Sequence, residues 1–103
     1  MSVWQDLVFW VLDGHVPREG TPSEWSAMWA DPESRRVARD TVGDIDVSTV
    51  FLGIDHAMDG GPPLLFETMT FGPVEDTWRY ATWDEAVAGH ARVVAALREG
   101  RTP

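Results

Sequence analysis

Cysteine is absent from the 103 residues, and so are lysine and asparagine. Without a thiol the chain has no disulfide framework, no thiolate metal site and no cysteine nucleophile. All eight basic residues are arginine. Lysine and asparagine both use A-rich codons, so their joint absence points to a GC-rich genome. Long apolar runs are missing as well. The longest candidate, LVFWVL at 7–12, is far too short for a secretory or membrane segment, and the Met-Ser-Val-Trp start has no basic region before it. The expectation is therefore a cytoplasmic protein. No internal repeat or long linker divides the chain, which predicts a single α+β domain over 1–103 with one modest core.

Basic charge is absent from one long interval. Between Arg39 and Arg79 there is no Arg or Lys, while Asp40, Asp44, Asp46, Asp55, Asp59, Glu67, Glu75 and Asp76 fall inside it. These eight acids nearly account for the net charge of −9. Direct nucleic-acid binding is excluded on this pattern, because its driving force needs clustered cations. An acidic surface suits solubility, a basic protein partner, a cation, or imitation of a nucleic-acid backbone. Six tryptophans are the conspicuous surplus; they can fill a small core or furnish an exposed binding patch.

The elements follow from local signals. Residues 7–12 suit a strand more than a helix because Asp13-Gly14 supplies a turn. Thr21, Pro22 and Glu24 form a capping box that opens a helix running to about Ala30, with Trp25 and Trp29 on one face, and Asp31-Pro32 ends it. RRVARDTV (35–42), Gly43-Asp44 and IDVSTVFLGID (45–55) read as a hairpin. LLFETMTF (64–71) is a further strand after the 57–63 loop, where Gly60, Gly61, Pro62 and Pro63 supply turn conformations and remove donors just before the ladder. Thr82 and Glu85 cap a last helix with an apolar stripe of Ala86, Val87, His90, Val93, Val94 and Leu97, closed by Gly100. The fold class expected is α+β: a small antiparallel meander of three to four strands packed against a C-terminal helix, with a short N-terminal helix.

Register follows from the turns. Pairing Val42 with Ile45 sets Val37 opposite Val50 and Arg36 opposite Phe51; a 57–63 loop sets His56 opposite Leu64 and Gly53 opposite Glu67. Alternation then gives a core face of Val37, Val50, Leu52, Ile54, Leu64 and Phe66. The other face carries Arg36, Ala38, Asp40, Phe51, Asp55, Leu65, Glu67, Met69 and Phe71, with Gly53 as a notch between Asp55, Glu67 and Arg36. A one-residue slip exchanges the faces.

Three constellations could carry chemistry. Asp55, Glu67 and Arg36 could clamp a polar ligand or do acid–base work, or Arg36 could merely neutralise two acids across strands. Asp55, His56 and Asp59 are compatible with a divalent ion, but neighbouring strand residues point apart and the spacing matches no metal motif, so no metal is expected. His90 could be a catalytic imidazole partnered by Asp55 or Glu67, or a core-edge histidine donating to a backbone carbonyl. Ser48 and Thr68 lie in no nucleophile motif, and no phosphate loop or dinucleotide fingerprint is present, so no catalytic residue and no cofactor is assigned.

The segments Ser48 to His56 (STVFLGIDH) and Pro62 to Met69 (PPLLFETM), with the Tyr80-Ala81-Thr82 helix start, resemble small uncharacterised proteins encoded by actinobacterial phages and prophages. The likeness spans about 35–95. It implies a genomic setting rather than an activity, and directs attention to Asp55, His56, Glu67 and Thr68.

Three functions stand on this reading. The first is a phage accessory protein that binds a host or phage protein without catalysis, inhibiting a host defence or regulatory protein; its binding candidates are Arg36, Asp55, His56, Glu67 and Thr68. The second is a small-molecule or nucleotide binder, or a small hydrolase, with a cleft around Gly53. The third is a structural homo-oligomer burying the second sheet face.

Overall fold

The computed structural model describes residues 8–55 and 61–103. Two antiparallel sheets and a C-terminal helix make an α+β fold. A hairpin of β1 (Phe9–Asp13) and β2 (Val16–Gly20) leads into α1 (Pro22–Trp29) and the single turn α2 (Pro32–Arg35). A four-stranded meander follows, β3 (Arg36–Val42), β4 (Ile45–Phe51), β5 (Phe66–Phe71) and β6 (Thr77–Tyr80), and then α3 (Trp83–Arg98). The β3–β4 turn leaves two residues between Val42 and Ile45, with Gly43 at φ 59° in the first. Only glycine takes that position readily, which is why Gly43-Asp44 specifies a tight hairpin.

Local sequence explains the helix ends. Thr21 accepts from the Glu24 amide and Glu24 Oε1 accepts from the Thr21 amide, so the capping box of α1 is reciprocal. At α3, Thr82 accepts from the Glu85 amide, but Glu85 accepts the Thr82 hydroxyl instead of its backbone. The α3 terminus is a Schellman motif: Arg101 N–H donates to the Ala96 carbonyl and Gly100 N–H to that of Leu97.

Register departs from expectation at two places. Val42 does face Ile45, but a bulge at Val37 puts Arg36, not Val37, opposite Val50. Between β4 and β5 the expected pairing is wrong by three residues: Val50, not Gly53, faces Glu67, and Phe51 faces Phe66. The connection is longer than the 57–63 loop, because β4 stops at Phe51 and β5 starts only at Phe66. An odd shift exchanges faces. Val47, Thr49 and Phe51 are therefore the buried β4 residues, while Val50 is half-buried on the opposite side.

Helix α3 crosses the first of these faces. Its Val93 and Val94 pack on Val47, and its Ala86 packs on the cluster of Phe51, Phe66, Leu65 and Tyr80. Phe51 and Phe66 are fully buried with ring centroids 5.1 Å apart, edge to face; each contributes about 1.5–3 kcal/mol of burial. Val87 belongs to the expected stripe but is exposed; Gly89 and Ala96 are buried in its place beside Ala86, His90, Val93 and Val94.

The N-terminal elements dock on the end of the sheet at Leu52-Gly53. Trp10 N–H donates to the Gly53 carbonyl at 2.8 Å, and the indole N–H groups of Trp25 and Trp29 both donate to the Leu52 carbonyl, at 3.3 and 3.0 Å. Arg35 stacks over Trp29, 3.6 Å from its ring centroid, and His15 of the β1–β2 turn stacks on Trp83 of α3 at 3.8 Å. The described tryptophans thus serve as seams between elements rather than as a buried core or an exposed patch; Trp29, at 38 % exposed, is the one described tryptophan among the large exposed apolar groups.

Candidate functional site

The five residues singled out by sequence do not form one site. Glu67 pairs with Arg79, its direct cross-strand neighbour on β6, at 3.1 Å. Arg36 lies two strands away in the same row but bonds Glu33 at 2.8 Å, an i,i+3 pair at the α2–β3 junction. Asp55 accepts from the Leu64 amide at 2.9 Å, bracing the ends of the β4–β5 connection. Thr68 is fully buried on the α3 side of the sheet, so it is no surface contact. His56 and Asp59 lie outside the described residues, and with them the Asp55–His56–Asp59 grouping. The notch expected at Gly53 is filled: a Cβ there would stand 2.6 Å from both the Trp10 carbonyl and Trp25 Nε1. A cleft around Gly53 is thereby corrected to a packed junction.

The structure assembles a different constellation beneath α3. His90 is 4 % exposed and holds Asp40 Oδ2 on Nε2 and Thr49 Oγ1 on Nδ1, both at 2.7 Å. Thr49 Oγ1 in turn lies 2.5 Å from Thr68 Oγ1. A carboxylate only accepts, so Nε2 carries the proton that faces Asp40. With the ring neutral, Nδ1 accepts the Thr49 hydroxyl, and Thr49 accepts the Thr68 hydroxyl. The chain then runs Thr68 to Thr49 to His90 to Asp40 with every donor used once.

An acid, an imidazole and a hydroxyl in line have the composition of a nucleophilic triad. Access decides against that use. Thr49 and Thr68 are both fully buried, so the hydroxyl that would attack meets no substrate. Only Asp40, with its side chain 42 % exposed, reaches solvent. What the chain does is tie α3 to β3, β4 and β5 at once while satisfying buried polar groups that would each cost about 1–3 kcal/mol unpaired. The alternative of a core-edge histidine bonded to a carbonyl is thus right about burial and wrong about partner.

This network was reachable in part from sequence. The Val42–Ile45 turn already places Asp40 on the Phe51 side of the hairpin, and His90 stands in the helix stripe. Assigning Val50 rather than Phe51 to the core put Asp40 outside. Threonines at 49 and 68, each spaced by two from apolar neighbours inside a strand, were the available signal for inward hydroxyls.

The acidic interval is resolved into two kinds of place. Asp40 and Glu67 are partnered within the sheet, by His90 and Arg79. Asp44, Asp46, Glu75 and Asp76 gather where the β3–β4 turn meets the β5–β6 loop: Asp46 pairs with Phe71 in register, and a Cβ on Gly72 would press on the Asp44 carbonyl. None of the four has an ion-pair partner among the described residues. A depression of about 440 Å³ beside them is lined by Met69, Thr70, Phe71, Glu75, Asp76 and Thr77. A second of about 440 Å³ lies against β1 and α1; of its charged groups, Arg18 and Glu24 are bonded to each other at 2.8 Å and Asp31 caps α2 by accepting the Glu33 amide.

No family model, curated protein or solved structure matches the chain. Among the described residues no cluster of three or more His, Asp or Glu could hold a metal, and no helix is long and apolar enough to cross a membrane.

Proposed function

We propose that the protein works by binding a protein partner without catalysis, as an accessory protein of an actinobacterial phage or prophage that blocks a host defence or regulatory protein. The observation that carries this reading is the pairing of a sealed Asp40–His90–Thr49–Thr68 chain with an open sheet end where four carboxylates have no ion-pair partner among the described residues. Chemistry-bearing groups are spent on holding the fold; the surface offers charge and apolar area instead. The likeness of the 48–56 and 62–69 segments to phage-encoded proteins supports the setting.

The test is affinity capture with the tagged chain from an actinobacterial host lysate, followed by mass spectrometry across about 50 to 500 mM salt. A single host protein retained at low salt and lost as salt rises is the expected result. Absence of any retained partner over the whole range would overturn the reading.

A further inference from the structure

The sheet face turned away from α3 has an internal order. Cross-strand pairing sets Asp46 beside Phe71, Ser48 beside Met69 with Thr77 beyond, and Val50 beside Glu67 with Arg79 beyond. Phe71 is 45 % exposed, and Met69 and Val50 are half-buried, so an apolar strip runs along the middle of the face. Its two ends differ. At one, Arg79 and Arg36 are matched by Glu67 and Glu33. At the other, the strip leads to the unmatched Asp44, Asp46, Glu75 and Asp76, next to the depression floored by Met69 and Phe71.

We infer that this face docks a cationic, amphipathic segment of a partner protein, with an apolar side chain seated on Met69 and Phe71 and arginines or lysines reaching the turn end. The inference rests on the partner-binding reading above and names its surface. Charge complementarity selects the occupant. A second copy of this chain is disfavoured, because each brings a net charge of −9 to the contact. A neutral apolar partner would leave four carboxylates to be desolvated without compensation at the rim. A nucleic acid is repelled outright. A cationic segment gains steering from the acids and anchorage from the ring, the usual division between rim and centre of an interface. Asp76 holds the loop, through its carboxylate to the Thr77 amide at 2.9 Å and through its backbone to Thr70; Asp44, Glu75 and Asp46, whose Oδ1 accepts the Thr41 hydroxyl at 2.9 Å, are the rim groups to alter.

The probe is a fluorescent synthetic octapeptide alternating arginine with leucine, with a glutamine-for-arginine peptide as its control. Anisotropy titrations should show the arginine peptide binding, weakening as salt rises, and the glutamine peptide failing. The triple variant Asp44→Asn, Asp46→Asn, Glu75→Gln should lose affinity by about tenfold or more. Phe71→Ala should lose severalfold at unchanged salt dependence. The matched variant Asp13→Asn, Glu19→Gln, Asp84→Asn, which removes as much charge elsewhere, should change affinity by less than about twofold. Thermal midpoints near wild type for both triple variants guarantee that folding is not the readout.

Equal losses in the two triple variants would mean unspecific attraction and overturn the surface. So would light scattering showing a dimer that Phe71→Asp dissociates, since the face is then covered by a second copy. If the host partner is still captured by the first triple variant, the surface is wrong while the partner-binding reading survives; if wild type captures nothing, that reading itself fails.

Discussion

The two faces of the four-stranded sheet each pair an acid with a base, and differ in what lies behind the pair. Under α3, an acid and a base, Asp40 and His90, meet where the imidazole is 4 % exposed, and two threonines extend the contact into the core. On the far face Glu67 and Arg79 meet with side chains 11 % and 42 % exposed, close to the 5 % and 42 % of His90 and Asp40. What differs is the continuation: His90 passes its other ring nitrogen to Thr49 and Thr68 in the core, whereas Glu67 and Arg79 form a single cross-strand contact. Near water an ion pair is worth about 0–1 kcal/mol, whereas a buried polar group left without its partner costs several times that.

The largest break in this comparison comes from the sealed face. His90→Ala removes a buried side chain and leaves Thr49 and Asp40 without their acceptor and donor, so we expect a loss of about 3 kcal/mol. For a chain of this size that lowers the thermal midpoint by on the order of 15 °C, readable by calorimetry or circular dichroism. Thr68→Val, at the end of the chain, should cost only about 1 kcal/mol, because Thr49 still donates to His90. If His90→Ala is tolerated as well as a surface change, the hydrogen-bonded chain is not what anchors α3.

The open face supplies the second and smaller effect. Glu67→Gln keeps an acceptor opposite Arg79 and removes only the charge, so a loss below about 1 kcal/mol is expected in urea titration. Glu67 is itself only 11 % exposed at its side chain. A loss above about 2 kcal/mol would show that this face behaves as a desolvated interior, and the contrast between the faces would collapse.

What the sequence disclosed follows the range of the interactions. The capping box at Thr21, the N-cap at Thr82, the Gly43-Asp44 turn and the Gly100 stop are settled within a few residues and were legible, although the second half of the box expected at Thr82 does not form. The α+β meander under a C-terminal helix was legible too, because periodicity and turn signals agree. The short strand β2 was missed: VPREG lacks alternation and carries a proline, and its strand state is imposed by pairing with β1. Register across the 52–65 connection was not legible, since nothing local fixes where a long loop lets two strands meet. That one odd shift turned Phe51 inward and Val50 outward; β5 kept its expected faces, so Thr68 follows Phe66 into the core by simple alternation. Asp40, His90 and Thr49 lie up to fifty positions apart, so their meeting depends on register and helix docking together.

A pair with both side chains exposed gives the comparison its reference point and the smallest effect. Arg18 and Glu24 meet at 2.8 Å with side chains 49 % and 42 % exposed. The Arg18 hydrogen bond first, and then the Thr21 amide of the capping box, hold the Glu24 carboxyl down at about 2 from its ordinary 4.5. A depressed carboxyl stabilises the folded state fully above its unfolded pKa; that contribution fades as pH falls from about 4.5 and is gone below about 2. Screening by water keeps it small. In a carboxyl NMR titration Glu24 should stay ionised well below its ordinary 4.5. Arg18→Gln should raise its pKa only part of the way, because the Thr21 amide still bonds the carboxylate. A Glu24 that titrates identically with and without Arg18 would show that the cap alone sets its charge, and that exposed pairs in this protein contribute nothing to compare with the sealed face.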